Sequence, residues 1–349
     1  AQIDDPFRLG AIIFAAIFFV WYGIKLIVYL IRRWQARRRV ERLVNVEAAP
    51  GTEKKFSFFQ YFERKAINRH IDKVFLMLAK AMPASNSRAM HELKCLLHVN
   101  FDNAHGHWWS VGSVNSPKIQ NPLLSEHPNV FWRVFNEFVI LGTDESLMTQ
   151  DNPSAKNEWF ELLNGLAESK KRLALDGLIV SLHLEQLSSE SALSLYADKI
   201  RVIYEDIKQF CGVEVPISVV IQGLEELPGI EAWSNSLERE LKRKIIGKIN
   251  PHGQPPSTVV NDFVDGLRAM LNQGALKFLM ESGYSPAVAE VSSLVDGVRE
   301  SLGGLLGRAL SGSQFQKSPT FAGLFFVTRK GGDWWFVEEL LESSVLLGG

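Results

Sequence analysis

Apolar positions along the chain fall into three regimes. Leu9–Ile31 is almost unbroken: 23 residues whose one charge is Lys25. As a helix this stretch is roughly 34 Å long, enough to cross a bilayer core with slight tilt. The middle of the chain alternates instead. Residues 56–82 repeat apolar positions at three- and four-residue steps and predict an amphipathic helix ended by Pro83. Short apolar runs predict strands at Lys94–Val99, Val130–Phe135, Glu137–Leu141, Leu178–Leu182 and Pro216–Ile221. Helical spacing predicts helices at Asn157–Ala167, at Ser188–Phe210 behind a serine cap, and at 231–249 with a basic face. Residues 100–129, rich in Asn, His, Gly, Ser and Pro, read as loop. The third regime is helical, through Val259–Met280 and Ser285–Leu310, before a last strand at Leu324–Val327. Strands alternating with helices imply an α/β fold with a mostly parallel sheet.

The predicted organisation has four parts: a transmembrane helix (about 9–31) and basic juxtamembrane segment in 1–45, a linker and amphipathic helix in 46–83, an α/β domain in 84–250, and a helical extension in 251–349 with a returning strand near 321–328. Charge orients the span. The chain as a whole has a net charge of -1, but residues 1–45 hold eight basic residues against three acidic ones. Arg32, Arg33, Arg37, Arg38, Arg39 and Arg42 crowd the carboxyl side of the span, which the positive-inside rule places in the cytoplasm. Lys25 can snorkel to the headgroups, and the arginines can meet anionic lipid at about 1 kcal/mol each. Because the chain starts at Ala1 rather than Met, the expectation is a piece of a longer protein, with an earlier span before it and further sequence after Gly349.

Near-zero net charge argues against a nucleic-acid-coating protein. Two cysteines, Cys95 and Cys211, exclude a disulfide scaffold or a Cys-rich zinc site. The fold class suggests nucleotide chemistry, so the loop after the first strand matters most. A phosphate-binding loop needs glycines, a lysine and a hydroxyl in G-x-x-x-x-G-K-[ST]. Residues 100–109 offer one glycine, Gly106, no lysine, and the acid Asp102. The third strand should end in an aspartate for a metal; Asp144 lies two residues beyond that position. Pro216–Ile221 is followed by Gln222, Gly223, Leu224 and Glu225 rather than a base-selecting Lys–Asp pair.

KRLALDGLIVSLHLEQL (171–187) resembles the "R-x-x-x-L-N-G-[VI]-I-V-x-[LV]-x-[LA]-x-x-L" stretch of the TssM/IcmF family, inner-membrane components of bacterial type VI secretion systems. VFWRVFNEFVILGTDE (130–145), VVIQGLEELPGI (219–230) and FAGLFFVTRKGG (321–332) resemble further segments of that family in the same order. The arginine-flanked span resembles the second helix of the family's membrane hairpin. By that resemblance Gly142 stands at the metal-aspartate position, Glu145 and Ser146 replace the glycine and arginine after it, Gly223 replaces a lysine, and Glu225 keeps the acid. The phosphate loop has no counterpart, leaving Asp102 and Gly106 as degenerate positions.

The resemblance therefore implies a degenerate P-loop NTPase-like domain with no catalytic residue, cofactor or metal. Its implied place is the bacterial inner membrane, with the domain facing the cytoplasm. Its implied partners are further copies of itself, membrane lipids, a TssL-like inner-membrane protein, a TssJ-like lipoprotein reached through a periplasmic region outside this chain, and baseplate components such as TssK; no nucleic acid is implied. Three alternatives stay open: a divergent ATPase or GTPase gating the complex, with Lys118 or Arg133 supplying positive charge, an IcmF-type role in a type IVB system, and an unrelated single-pass anchor for a metal-dependent hydrolase using the His98–His107 loop.

Several features have a bland reading beside the sharp one. His98, His105 and His107 with Asp102 read as a polar loop before a metal cluster, and Asp144–Glu145 as a solvated pair. Trp108–Trp109 and Trp334–Trp335 fit partner anchors or core equally. Lys242, Arg243, Lys244 and Lys248 read as a solvated helix face, and Gly303 with Gly307 as a close helix contact.

Overall fold

In the computed structural model the chain divides into two compact units, residues 1–63 and 64–349. The structure describes Trp21 and residues 66–81, 93–101, 107–109, 129–135, 138–147, 153–169, 175–227, 230, 242–282, 286–312, 318–330 and 333–342. The predicted span at 9–31 lies outside these apart from helical, exposed Trp21, as do Lys25, Arg32, Arg33, Arg37, Arg38, Arg39, Arg42, Asp102, His105, Gly106 and Lys118. Among the described residues no helix is long and apolar enough to cross a membrane.

The second unit is an α/β fold on a seven-stranded sheet. Its strands are β1 Lys94–Asn100, β2 Phe131–Val134, β3 Phe138–Asp144, β4 Leu175–His183, β5 Ile217–Gln222, β6 Ile246–Ile249 and β7 Phe321–Phe326. They lie in the order β2-β3-β1-β4-β5-β7-β6. The five central strands are parallel, and the edge strands β2 and β6 are antiparallel to their neighbours. The chain leaves β1 for β3 on one side and returns to β4 on the other. The carboxyl end of β1 is therefore the switch point, where open α/β sheets place ligands.

Two faces follow from the strand period of two. One is apolar: Cys95, Leu97, Val99, Leu141, Val180, Leu182, Val219, Ile221 and Phe326, all buried. Helices cover it. These are α1 Ala66–Ala81, α2 Pro153–Ser169, α3 Glu190–Cys211, α4 Pro256–Ser282 and α5 Pro286–Ala309. They pack as a row, α1 on α2, α2 on α3, α3 on α5 and α5 on α4, and Phe263 of α4 stacks on Phe326. Ser189 caps α3 by accepting from the Ala192 amide, and Gly212 ends it at φ 65°.

The other face carries Leu96, Ile140, Ile179, Val220 and Phe325. Trp108 and Trp109 share its core with Trp334, Val337, Leu340 and Leu341 from the end of the chain. Those last residues belong to a hairpin, β8 Thr328–Lys330 with β9 Asp333–Trp335, and to α6 Glu338–Glu342.

Three expectations change. The strand from residue 138 runs through Gly142 to Asp144 instead of stopping at Leu141. The helix expected over 231–249 does not reach its end, because 242–245 turn and 246–249 form β6. The β-branched isoleucines there suit either period, and pairing with β7 decides the matter. A Cβ on Gly247 would meet Phe325 at 2.3 Å, so the strands pack closely at that point. The basic run is thus a turn, with Lys242 4.4 Å over the Trp335 ring, Arg243 ion-paired to Glu338, and Lys248 on β6 facing Asp262 at 3.3 Å. Gly303 and Gly307 mark no close helix contact: a Cβ on either meets nothing within 4 Å. The returning strand expected near 321–328 is β7, which enters the sheet between β5 and β6.

One half-buried acid links α2 and α3. The Trp159 indole N–H donates to Asp206 Oδ2 at 2.8 Å, and burial pushes Asp206 up to about 6 despite that bond. A carboxyl raised on folding binds its proton more tightly in the native state. Its stabilising contribution is present below about pH 4 and lost as pH rises through 6. Asp206→Asn, whose amide oxygen still accepts from Trp159, is expected to flatten this dependence and gain about 1–2 kcal/mol at pH 7.5 with none at pH 4. Urea unfolding at the two pH values measures it.

Candidate functional site at the carboxyl end of the sheet

The switch point brings together the ends of β1, β3, β4 and β5. In register, His98 lies beside Gly142, and Asn100 beside Asp144 and Ser181. All face the side covered by the tryptophans. The result is a band of fully buried polar side chains, His98, Asn100, Ser181 and Gln222, across the carboxyl end of that face. An unmet polar group there costs about 1–3 kcal/mol, so each needs a partner.

The tryptophans supply partners for two of the four, His98 and Ser181. The Trp109 indole N–H donates to His98 Nδ1 at 3.0 Å, His98 Nε2 lies 2.7 Å from Ser181 Oγ, and the Trp108 indole N–H donates to the same hydroxyl oxygen at 2.9 Å. An indole N–H can only donate, so Nδ1 accepts and the His98 proton sits on Nε2, pointed at Ser181. Burial holds His98 well below its ordinary pKa, and His107 adds to this. Both His98 nitrogens are thereby committed to hydrogen bonds, which leaves no lone pair for a metal. The Gln222 amide donates to Asn100 Oδ1 at 3.2 Å and joins β5 to β1.

Gly142 is shaped by the same tryptophan. A Cβ there would lie 2.3 Å from Trp109 Cζ2 and 2.9 Å from Cη2. No side chain at 142, a carboxylate included, fits while Trp109 keeps its place. His107 stacks on Trp109 with centroids 4.8 Å apart and contacts Phe131 at 4.9 Å. Burial lowers His107 to about 4, so the imidazole facing Asp144 Oδ1 at 3.4 Å is neutral, and the contact is not an ion pair at neutral pH. Burial also raises Asp144.

The remaining acids at this end have structural partners. Glu145 pairs with Lys199 of α3, whose ammonium lies 5.0 Å over the Tyr196 ring. Glu225 accepts from the Thr328 hydroxyl at 2.6 Å. His183 lies 3.4 Å from Glu226. His183, Glu185 and Glu226 bring ligand-type atoms within 4.8 Å of one another, a grouping absent from the sequence reading. However, His183 Nδ1 accepts from the Glu185 amide at 3.3 Å, which puts its proton on Nε2 towards Glu226. Gln186 completes the turn: its Oε1 accepts from the His183 amide, and its Nε2 donates to the Phe101 carbonyl and to Tyr196. The group is a cap tying the exits of β4 and β1 together. The signal for it was the H-x-x-Q spacing.

Gly223 is constrained twice. Its φ is 87°, and a Cβ would meet His183 Nε2 at 2.3 Å. Arg133, on β2 beside Ile140, holds its guanidinium 5.8 Å over Phe135. Of the tryptophans that fitted two readings, Trp108, Trp109 and Trp334 are core, and Trp335 is half-buried under Lys242.

Gly223→Ala is expected to cost about 3 kcal/mol, combining a left-handed backbone penalty with a collision. Gly212→Ala has the same sign of φ but open space around it, and should cost about 1 kcal/mol. Denaturant midpoints of the two variants give the comparison.

The IcmF-related N-terminal domain profile matches residues 153–333, from the start of α2 to the first residue of β9. Among curated proteins the chain is similar to the type VI secretion system component TssM1 of Pseudomonas aeruginosa, at 26% identity over 216 residues. That alignment takes in 57% of this chain and 19% of the relative, so the chain spans less than a fifth of the relative's length. With more than half of its length inside the family profile, carried on the α/β unit described above, the chain belongs to the TssM/IcmF family.

Proposed function

We propose that the chain is a structural inner-membrane component of a type VI secretion complex. In this reading the apolar Leu9–Ile31 segment anchors it, the arginines from Arg32 to Arg42 hold the following domain on the cytoplasmic side, and that domain is a pseudo-NTPase fold that serves as a docking platform for the baseplate and tail. The observation that carries the reading is the mutual exclusion of Trp109 and any side chain at Gly142. Family membership supports the secretion role. The strand order, with its switch point at β1, supports descent from a ligand-binding α/β sheet.

A metal-nucleotide site needs a carboxylate at the end of β3 and positive charge at the phosphates. The position that the family resemblance assigns to that carboxylate, Gly142, is a glycine under an indole, and the acid that does end β3 is Asp144. Asp144 faces a neutral imidazole, and Lys199 is committed to Glu145. The domain is therefore expected not to hydrolyse nucleotide, and its work is binding. Partners fitting the family are further copies of the chain, a TssL-like membrane protein, a TssJ-like lipoprotein reached through sequence outside this chain, and a TssK-like baseplate protein. A ring of anchored domains gives such partners several weak sites at high effective concentration.

Thermal unfolding of the full chain in detergent, with and without millimolar ATP–Mg or GTP–Mg, tests the pseudo-NTPase reading. No shift is expected. A ligand at 100 times its Kd adds about 2.7 kcal/mol, a shift of several degrees, and such a shift would overturn it in favour of a gating ATPase or GTPase. Co-purification of the tagged full chain with its TssL-like and TssK-like candidates tests the assembly role separately.

A further inference from the structure

Small ligands in open α/β sheets sit over the carboxyl ends of the strands at the switch point and are held by stacking and a few polar anchors. Each element of such a site is present here, and each is satisfied by the chain itself. The floor is Gly142 and His98, adjacent in register on β3 and β1. The cut-out in the floor is the missing side chain of Gly142, whose Cβ position lies 2.3 Å from the Trp109 ring. The stacking wall is His107, 4.8 Å from that ring and nearly parallel to it at 27°. The polar anchor is His98 Nδ1, which accepts the indole N–H at 3.0 Å. The ring is 98% buried.

We infer that the indole of Trp109 is a built-in ligand, seated over Gly142 and against His107, that keeps the carboxyl end of the sheet in one fixed arrangement with no exchangeable molecule. The inference rests on the scaffold reading above and gives it a physical device. A platform that must dock partners at all times cannot depend on ligand occupancy, and a covalently attached occupant never dissociates. It also has a chemical consequence. With the side chain removed, the crevice is a site for a small planar heteroaromatic bearing one N–H donor, with indole itself as the matching probe. Gly142 and Trp109 are then a coupled pair: the cost of a side chain at 142 exists only while the indole is present.

The test uses the full chain in detergent, with three variants: Trp109→Gly, Gly142→Ala and the double variant. Trp109→Gly should unfold about 10 °C below the wild type, and millimolar indole should recover a large part of that loss while leaving the wild type unmoved. Indene, which has the shape but no N–H, should recover less. Gly142→Ala should lower the midpoint by more than about 5 °C alone and by little or nothing in the Trp109→Gly background. An equal cost of Gly142→Ala in both backgrounds overturns the inference, as does indole stabilising the wild type as much as the variant.

Should Trp109→Gly fail to fold, the wild type decides. Its Trp109 indole N–H, followed by nitrogen-15 NMR in deuterated solvent, should exchange slowly from pH 5 to 8, with His98 fixed as the Nε2–H form; fast exchange, or a His98 that titrates near neutrality, sinks the idea. The two readings separate cleanly. Nucleotide binding by the wild type with the Trp109–Gly142 coupling intact removes the scaffold reading alone, whereas no nucleotide binding and no coupling removes the built-in ligand alone.

Discussion

A run of hydrogen bonds from Trp109 through His98 and Ser181 to Trp108 is the interaction on which the rest of this fold depends. A parallel sheet covered on both faces ordinarily carries near-continuous apolar runs. One face here does so, and the helical row lies on it. The other places histidine, serine, asparagine and glutamine at the carboxyl end of its central strands, all fully buried. Such groups cost more unsatisfied than they return when bonded. The two indoles are large enough to exclude water and donate where the imidazole and hydroxyl accept, so they cover the face and pair its polar groups together. The glycine at 142 follows as a steric consequence.

The covering is completed from the far end of the chain. Val337, Leu340 and Leu341 join the tryptophans in one core cluster, although they lie more than 220 residues from Trp109. They are held by the basic turn at 242–245. The Phe336 amide donates to the Lys242 carbonyl, the Glu339 amide to the Arg243 carbonyl, and the Ile245 amide to Glu339 Oε2 at 2.7 Å. Phe336 itself sits at φ 67° with its ring buried, a backbone cost of about 1–2 kcal/mol that this clasp and the burial of the ring offset. Because β7 enters the sheet between β5 and β6, the sheet closes only after residue 321 has been reached. The site end of the sheet is therefore assembled from sequence-distant parts, which ties its stability to the whole unit.

That assembly explains what could and could not be read from the sequence. The central strands were legible because buried parallel strands leave solid runs such as Leu178–Leu182, and α3 was legible from its period and serine cap. The edge strand β6 was misread because Ile245, Ile246 and Ile249 satisfy a helical period as well as a strand, and only the distant β7 chooses between them. The hairpin β8–β9 and α6 are too short to leave a periodic signal. At the site, Gly142 and Gly223 were read as departures from a family pattern and Glu225 as its retained acid, but the reasons were not legible. That Gly142 makes room for Trp109, that Gly223 makes room for His183, and that Glu225 is bonded to Thr328 are facts about contacts across 33, 40 and 103 residues. The tryptophan doublet was ambiguous for the same reason, since an indole is equally suited to a core and to an interface.

The acids at this end of the sheet extend the argument from sterics to charge. Asp144, Glu145, Glu225 and Glu226 would together form a strongly negative rim if each stood in water. Glu145 is neutralised by Lys199, Glu225 accepts a hydroxyl, Glu226 faces the His183 ring, and Asp144 is partly buried against a neutral imidazole that burial keeps uncharged. On the proposed reading, a magnesium–nucleotide complex would have to compete with Glu145 for Lys199. The same partners also fix the turns after β3, β4 and β5 relative to one another. A surface built that way presents the same face in every copy, as the proposed platform would require of a repeated unit.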